Sequence, residues 1–172
     1  MITLVLGGSG CGKSEYAESI IMQLAPNRRY YIATMMPFDD EAHRKIARHR
    51  EMRKYKGFDT VECQTNLLGL SLDNDSDVLL ECISNLVANE MFSDEGSKEN
   101  TVESIISGIE KLIPQCRNLV IVSNNVFTDG DDYDQSVIEY MEYMARVNNW
   151  IAAHADSTVE VVCGIPIEQK KM

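Results

Sequence analysis

Apolar positions along this chain fall into two rhythms, short unbroken runs and stripes spaced three to four residues apart. Ile2 to Leu6 is a run of the first kind, as expected of a central strand buried on both faces, and Gly7 breaks it. Ala17, Ile20, Ile21 and Leu24 form a stripe of the second kind, which predicts a helix from about Gly12 to Leu24, ended by Pro26 and Asn27. Tyr30 to Ala33 reads as a second strand. Asp39 is a candidate N-cap for a strongly charged helix over about Asp40 to Lys54. Short strands follow at Thr60 to Cys63 and Val78 to Cys82, and a helical stretch then runs through Met91. The polar run Ser93 to Asn100 is the best candidate for a mobile loop. A helix over Val102 to Leu112, a strand at Leu119 to Ser123 and a loop at Thr128 to Asp132 come next. The chain closes with a long helix over Val137 to Ala153 and a last strand at Val159 to Cys163. Strands alternating with helices mean βαβ crossovers, so the expected architecture is one α/β domain over residues 1–172, mainly parallel, with helices on both faces of the sheet.

Composition narrows the function classes. No apolar run approaches the roughly 20 residues needed to span a bilayer, and no basic stretch precedes Ile2 as in a secretory signal, so a cytoplasmic protein without a membrane span is expected. The net charge of −11 argues against a nucleic-acid surface, which needs a basic face. The positive charge is nevertheless concentrated: seven of the 16 Lys and Arg residues lie between Arg44 and Lys56. Such a patch suits either a small polyanion such as a nucleotide or a merely solvated helix face. The five cysteines are scattered without C-x-x-C spacing, which predicts free thiols, buried in every case but Cys11.

Gly7-Gly8-Ser9-Gly10-Cys11-Gly12-Lys13-Ser14 satisfies G-x-x-x-x-G-K-[ST], between a strand and a helix. Glycines let successive backbone N–H groups converge on phosphate oxygens at a helix N-terminus, whose dipole favours negative charge. Lys13 would reach the β and γ phosphates of a nucleoside triphosphate, and the Ser14 hydroxyl would ligate Mg²⁺. Enzymes with this loop place a carboxylate at the end of a neighbouring strand to hold the magnesium shell. Val78-Leu79-Leu80-Glu81 ends in an acid whereas Leu119 to Ser123 ends in Asn124-Asn125, so Glu81 is the candidate.

Of the three histidines, His43 and His49 are six residues apart, about 120° around a helix, which does not suit a shared metal. His154 falls at the end of the last long helix, where the dipole favours it. Arg48 and Arg50 flank His49, with Lys45 and Arg53 one turn away on either side, and these cations disfavour an imidazolium. A neutral imidazole is a competent nucleophile, and its neighbours would stabilise a transferring phosphoryl group. Spacing alone equally fits a solvated histidine in a charged helix.

These segments, in order, resemble the bifunctional adenosylcobinamide kinase / adenosylcobinamide-phosphate guanylyltransferase family of cobalamin biosynthesis. The resemblance rests on GGSGCGKS at Gly7 to Ser14, YIAT at Tyr31 to Thr34, DDE at Asp39 to Glu41 and KIARHREMR at Lys45 to Arg53. VEC at Val61 to Cys63, LLECISNLVAN at Leu79 to Asn89, RVNNWIAAHAD at Arg146 to Asp156 and GIP at Gly164 to Pro166 extend it over nearly the whole chain. It implies a RecA-type P-loop fold assembled as a homotrimer, ATP or GTP and the corrinoid adenosylcobinamide as substrates, and Mg²⁺ with the nucleotide at Ser14 and Glu81. It implies phosphorylation of the aminopropanol arm, then transfer of GMP through a histidine. That histidine is His49, with Lys45 where the family's R-I-x-x-H pattern has arginine, and Lys13 acts in catalysis. The implied nucleotide contacts are Gly7, Gly8, Ser9, Gly10, Cys11, Gly12, Lys13 and Ser14, then Ala33, Thr34 and Met35. Arg50, Glu51, Met52, Arg53, Glu62 and Glu81 complete them. The chain departs from the pattern after the fifth strand: Ser123-Asn124-Asn125-Val126-Phe127 stands where the family commonly has T-N-E-V-G, so a carboxylate is missing there.

Two other readings fit the phosphate loop alone. One is a monofunctional P-loop small-molecule kinase in which His49 only binds phosphate. The other is a non-catalytic GTP-binding regulator. The path of attack on a GTP α phosphate further suggests that the helix with His49 is carried to the loop rather than built into it.

Overall fold

The computed structural model describes residues 1–37, 44, 46, 47, 50, 51, 53, 55–125 and 133–171. Asp39, Asp40, His43, Lys45, Arg48, His49, Met52, Lys54, the Val126-Phe127 pair and the Thr128 to Asp132 loop lie outside them. The chain runs β1 (Ile2–Leu6), α1 (Lys13–Gln23), β2 (Arg29–Ala33), β3 (Phe58–Glu62), β4 (Ser76–Leu80) and α2 (Ile83–Phe92). It continues through α3 (Thr101–Leu112), β5 (Cys116–Val122), α4 (Gln135–His154), β6 (Ser157–Val162) and β7 (Ile165–Lys171). Arg44, Ile46, Ala47, Arg50, Glu51, Arg53 and Tyr55 are helical, in keeping with the charged helix expected between β2 and β3.

The seven strands of the described residues form one sheet in the order β3-β2-β4-β5-β1-β6-β7. Every neighbouring pair is parallel except β6 with β7. Strand β5 lies between β1, which leads into the phosphate loop, and β4, which leads into Glu81. Two connections therefore diverge at that end of the sheet and leave a crevice outside its carboxyl edge.

The period-2 alternation of the strands divides the core between two faces. Leu4, Ile32, Val78, Leu80, Leu119 and Ile121 point to one side and pack with Ile83, Leu86, Ile105, Ile109, Val147 and Ile151 of α2, α3 and α4. Val5, Tyr31, Ala33, Leu79, Val120 and Val122 point to the other, against Ala17 and Ile21 of α1. The helices cover both faces, as the alternating pattern predicts.

Three local expectations are revised. First, β4 begins at Ser76 rather than Val78, because Asp77 is fully buried at the strand's start. Its carboxylate accepts from Arg117 Nε and Nη2 at 3.1 and 2.6 Å and from Asn118 Nδ2 at 2.7 Å, which a hydrophobicity pattern does not register. Second, β7 was unanticipated. Cys163 and Gly164, with φ of 50° and 79°, form the two-residue turn of a hairpin that pairs Val162 with Ile165. A cysteine holds the place where Asn or Asp usually announces such a turn, and β7 is exposed along most of its length. Third, Ser93 to Asn100 is tied down. The Glu90 carboxylate, only 2 % exposed, accepts from Ser97 N and Oγ, both at 2.8 Å, and from Asn66 N at 2.6 Å. Among the thiols, Cys63 is buried, burial pushing it up to about 11, whereas Cys163 is exposed in the hairpin turn.

Candidate functional site: a phosphate cleft at the carboxyl edge of the sheet

The loop after β1 bends sharply and opens α1. Gly12 is the N-cap of α1 with φ of 91°, a conformation a side chain strains. Gly7 is required for another reason: a Cβ there would sit 2.5 Å from Cys11 Sγ and 2.7 Å from the Val161 carbonyl oxygen of β6. The sulfur can turn away, but the strand backbone cannot. Gly7→Ala is therefore expected to destabilise the chain by about 1–3 kcal/mol, read as a lower urea midpoint with unchanged slope. Neighbouring segments hold the loop. Asn125 N donates to the Gly7 carbonyl at 3.3 Å, and Gly164 N in the β6–β7 turn donates to the Cys11 carbonyl at 2.9 Å. Lys13 Nζ donates to the Gly8 carbonyl at 2.9 Å and so lies over the loop.

A cleft of about 530 Å³ opens above this loop, lined by Ser9, Lys13, Ser14, Tyr31, Met35, Arg53, Glu81, Asn85 and Asn124, among others. Glu81 stands immediately after β4, with β5 between it and β1. Its Oε1 accepts from the Tyr31 hydroxyl at 3.0 Å, and its Oε2 accepts from Thr34 N at 3.0 Å. Burial, then the Glu81 charge, push the Tyr31 hydroxyl far above the usual phenol range, so it remains a donor to that carboxylate. The Arg53 guanidinium stacks over the Tyr31 ring, 3.8 Å from its centroid, with Nη2 3.8 Å from Glu81 Oε1. Arg53 is only 5 % exposed, and its Nη1 is buried without a hydrogen-bond partner. A desolvated guanidinium N–H left unpaired is costly unless an anion completes it, and this one belongs to a residue of the phosphate cleft.

The expected site residues separate into three groups. Ser9, Lys13, Ser14, Met35, Arg53 and Glu81 line the cleft together. Ala33 and Thr34 are buried behind it, Thr34 with its hydroxyl on the Cys82 carbonyl at 3.0 Å and its own carbonyl taking Asn89 Nδ2 at 2.8 Å. Arg50 forms an ion pair with Glu62, and Glu62 lines a different, polar cavity. Glu51 is exposed, and His49 and Met52 lie outside the described residues. Within the basic segment, Arg50, Arg53 and Lys56 pair with Glu62, Glu81 and Glu18.

Tyr31, Asn85 and Asn124 also line the cleft, and no pattern in the sequence marks them. For Asn124 the structure supplies a signal no pattern contains, since its Oδ1 is buried without a partner while Nδ2 donates to Ser84 Oγ at 2.5 Å. His154 is a helix-end residue, as expected: its Nδ1 lies 2.8 Å from the Trp150 carbonyl and its ring stacks on Trp150.

Glu81 accepts two hydrogen bonds and a carboxylate offers about four acceptor positions, so it has capacity left for a hydrated cation. No cluster of three or more His, Cys, Asp or Glu metal ligands exists among the described residues. The Ser14 hydroxyl and the Glu81 carboxylate, which both line the cleft, fit the needs of Mg²⁺, which binds through one or two protein oxygens plus phosphates and water.

Residues 3–169 match the family model described as cobinamide kinase / cobinamide phosphate guanyltransferase. The chain is 33% identical over 186 residues to the bifunctional adenosylcobalamin biosynthesis protein CobU of Salmonella typhimurium, covering 99% of this chain and all of that one. It is 30% identical over 183 residues to the protein of the same description from Escherichia coli, again covering 99% of this chain and all of the relative. Among solved structures it is similar to an ATPase domain, with a TM-score of 0.51 at 9% identity, covering 92% of this chain and 68% of that one. This last likeness establishes the P-loop ATPase-type α/β fold. No helix among the described residues is long and apolar enough to cross a membrane.

Proposed function

Because this chain belongs to the cobinamide kinase / cobinamide phosphate guanyltransferase family, we propose that it phosphorylates adenosylcobinamide and then guanylylates the product, using one phosphate cleft for both reactions. The observation that carries this reading is the convergence of the glycine loop, Lys13, the unpaired buried N–H of Arg53 and Glu81 on one crevice. A nucleoside triphosphate lies along the loop with Lys13 on its β and γ phosphates. In the first reaction the hydroxyl oxygen of the aminopropanol arm attacks the γ phosphorus, and the nucleoside diphosphate leaves. In the second, a ring nitrogen of His49 attacks the α phosphorus of GTP. A P–N bond forms, and the bond to pyrophosphate breaks. A phosphate oxygen of adenosylcobinamide phosphate then attacks the same phosphorus, releasing His49 and yielding adenosyl-GDP-cobinamide. Arg53 and Lys13 balance the charge that develops on the moving phosphoryl group. Mg²⁺, held at Ser14 and through water at Glu81, would supply further charge neutralisation.

A GMP-histidine species separates this reading from a monofunctional kinase. Incubation with α-labelled GTP followed by denaturation should leave label on the protein, labile in acid and stable in base as a phosphoramidate is. Turnover of adenosylcobinamide with no retained label would leave only the kinase half. Retained binding without turnover would leave the non-catalytic regulator, which membership of an enzyme family disfavours.

The homotrimer and the cytoplasmic location belong to the same proposal. Strand β7 ends the sheet with Ile165 and Ile167 64% and 44% exposed, apolar surface that a neighbouring subunit would cover. Light scattering tests the assembly directly; a monomeric mass at working concentration would remove it.

A further inference from the structure

The acceptor must place its attacking oxygen within about 3–3.5 Å of a phosphorus bound at the loop. It therefore has to occupy space continuous with the phosphate cleft. A second groove, of about 400 Å³, meets that condition, because Met35 and Asn85 line both. The polar cavity beside Glu62, Gln64 and Glu95 shares no lining residue with the phosphate cleft and does not meet it.

The second groove differs in chemistry from the first. Met35 and Met36 come from the segment after β2, and Ala88 and Phe92 from α2. Phe92 is 58% exposed, a large apolar side chain with no core to cover it. Methionines adapt to an irregular apolar ligand, and an exposed aromatic ring offers a flat face to a conjugated one. Asn85 stands at the border, half-buried, and its side chain makes no hydrogen bond among the described residues. An amide there can hold a polar arm between apolar groove and phosphate loop.

Resting on the function proposed above, we infer that this groove is the acceptor subsite: Met35, Met36, Ala88 and Phe92 take the apolar edge of the corrinoid, and Asn85 guides its hydroxyl- or phosphate-bearing arm into the cleft. The groove holds one edge of the macrocycle and an arm, and the rest of the ring stays in solvent. The two substrates therefore enter from different sides and meet at Asn85.

The test is steady-state kinetics of the full chain with adenosylcobinamide, with GTP affinity measured in parallel as a check of fold and nucleotide site. Phe92→Ala and Met36→Glu should each raise the KM for adenosylcobinamide about tenfold or more, with the GTP Kd unchanged and kcat within about twofold. Phe92→Leu should recover most of the loss. If the wild-type chain turns over adenosylcobinamide and both variants keep its KM, the groove is not the acceptor subsite, and the function stands without it. If the wild-type chain neither binds nor phosphorylates adenosylcobinamide, the function itself fails and the subsite with it.

Discussion

Replacing His49 with alanine should abolish covalent guanylylation, a loss on the order of 10³-fold or more, while GTP affinity changes by less than about threefold. The two effects separate because they depend on different parts of the chain. In the proposed site, affinity comes from the loop's backbone N–H groups, Lys13 and the Arg53 guanidinium, and Lys13 and Arg53 line the phosphate cleft. The covalent step, as proposed, depends on a single nitrogen nucleophile. In the proposed mechanism that nucleophile is His49, which sits in KIARHREMR, four residues before Arg53. Labelling with α-labelled GTP and mapping of the labelled peptide read the result. Full labelling of the variant, or label on His43, would assign the nucleophile elsewhere.

Lys13→Ala should weaken triphosphate binding by about 10- to 100-fold and depress both the kinase and the guanylylation rates by larger factors. Its ammonium lies over the loop, 2.9 Å from the Gly8 carbonyl, so it is already positioned at the phosphate cradle. In each reaction charge moves onto a leaving phosphate group, and a fixed cation there stabilises the transition state more than the ground state. The informative feature is the parallel loss. Two independent sites would let one reaction survive, and self-guanylylation at the wild-type rate would disprove a shared cradle.

Arg53 also bears on how the basic helix works. The reading from sequence has this helix carried to the loop by nucleotide. Arg53 and Lys56 nonetheless already contact the cleft side, through Tyr31 and Glu81 and through Glu18. Any closure therefore pivots about an anchored end. Hydrogen exchange over residues 40–54 with and without GTP measures it, and equal protection would favour a prebuilt site.

Features that one contiguous stretch encodes were legible from the chain alone. A strand, a glycine turn and a helix N-terminus suffice to make a phosphate cradle, so Gly7 to Ser14 could be read without any tertiary contact. The parallel sheet followed from alternating apolar runs and stripes, because burial on both faces leaves no other pattern. Glu81 was legible as the acid ending a buried strand. The antiparallel edge strand β7 was not, since an exposed edge carries no burial periodicity and its turn begins with Cys163 in place of the usual Asn or Asp. The walls of the cleft were beyond the sequence as well. Tyr31 comes from β2, Arg53 from the segment between β2 and β3, Glu81 from the end of β4 and Asn124 from the end of β5, and only the strand order, with β5 set between β1 and β4, brings them together. Arg53 lines the cleft and pairs with Glu81, while Arg50, three residues earlier, pairs with Glu62 outside it. Chain order specifies which side chains exist; burial energy, acting over the whole sheet, decides which of them face one another.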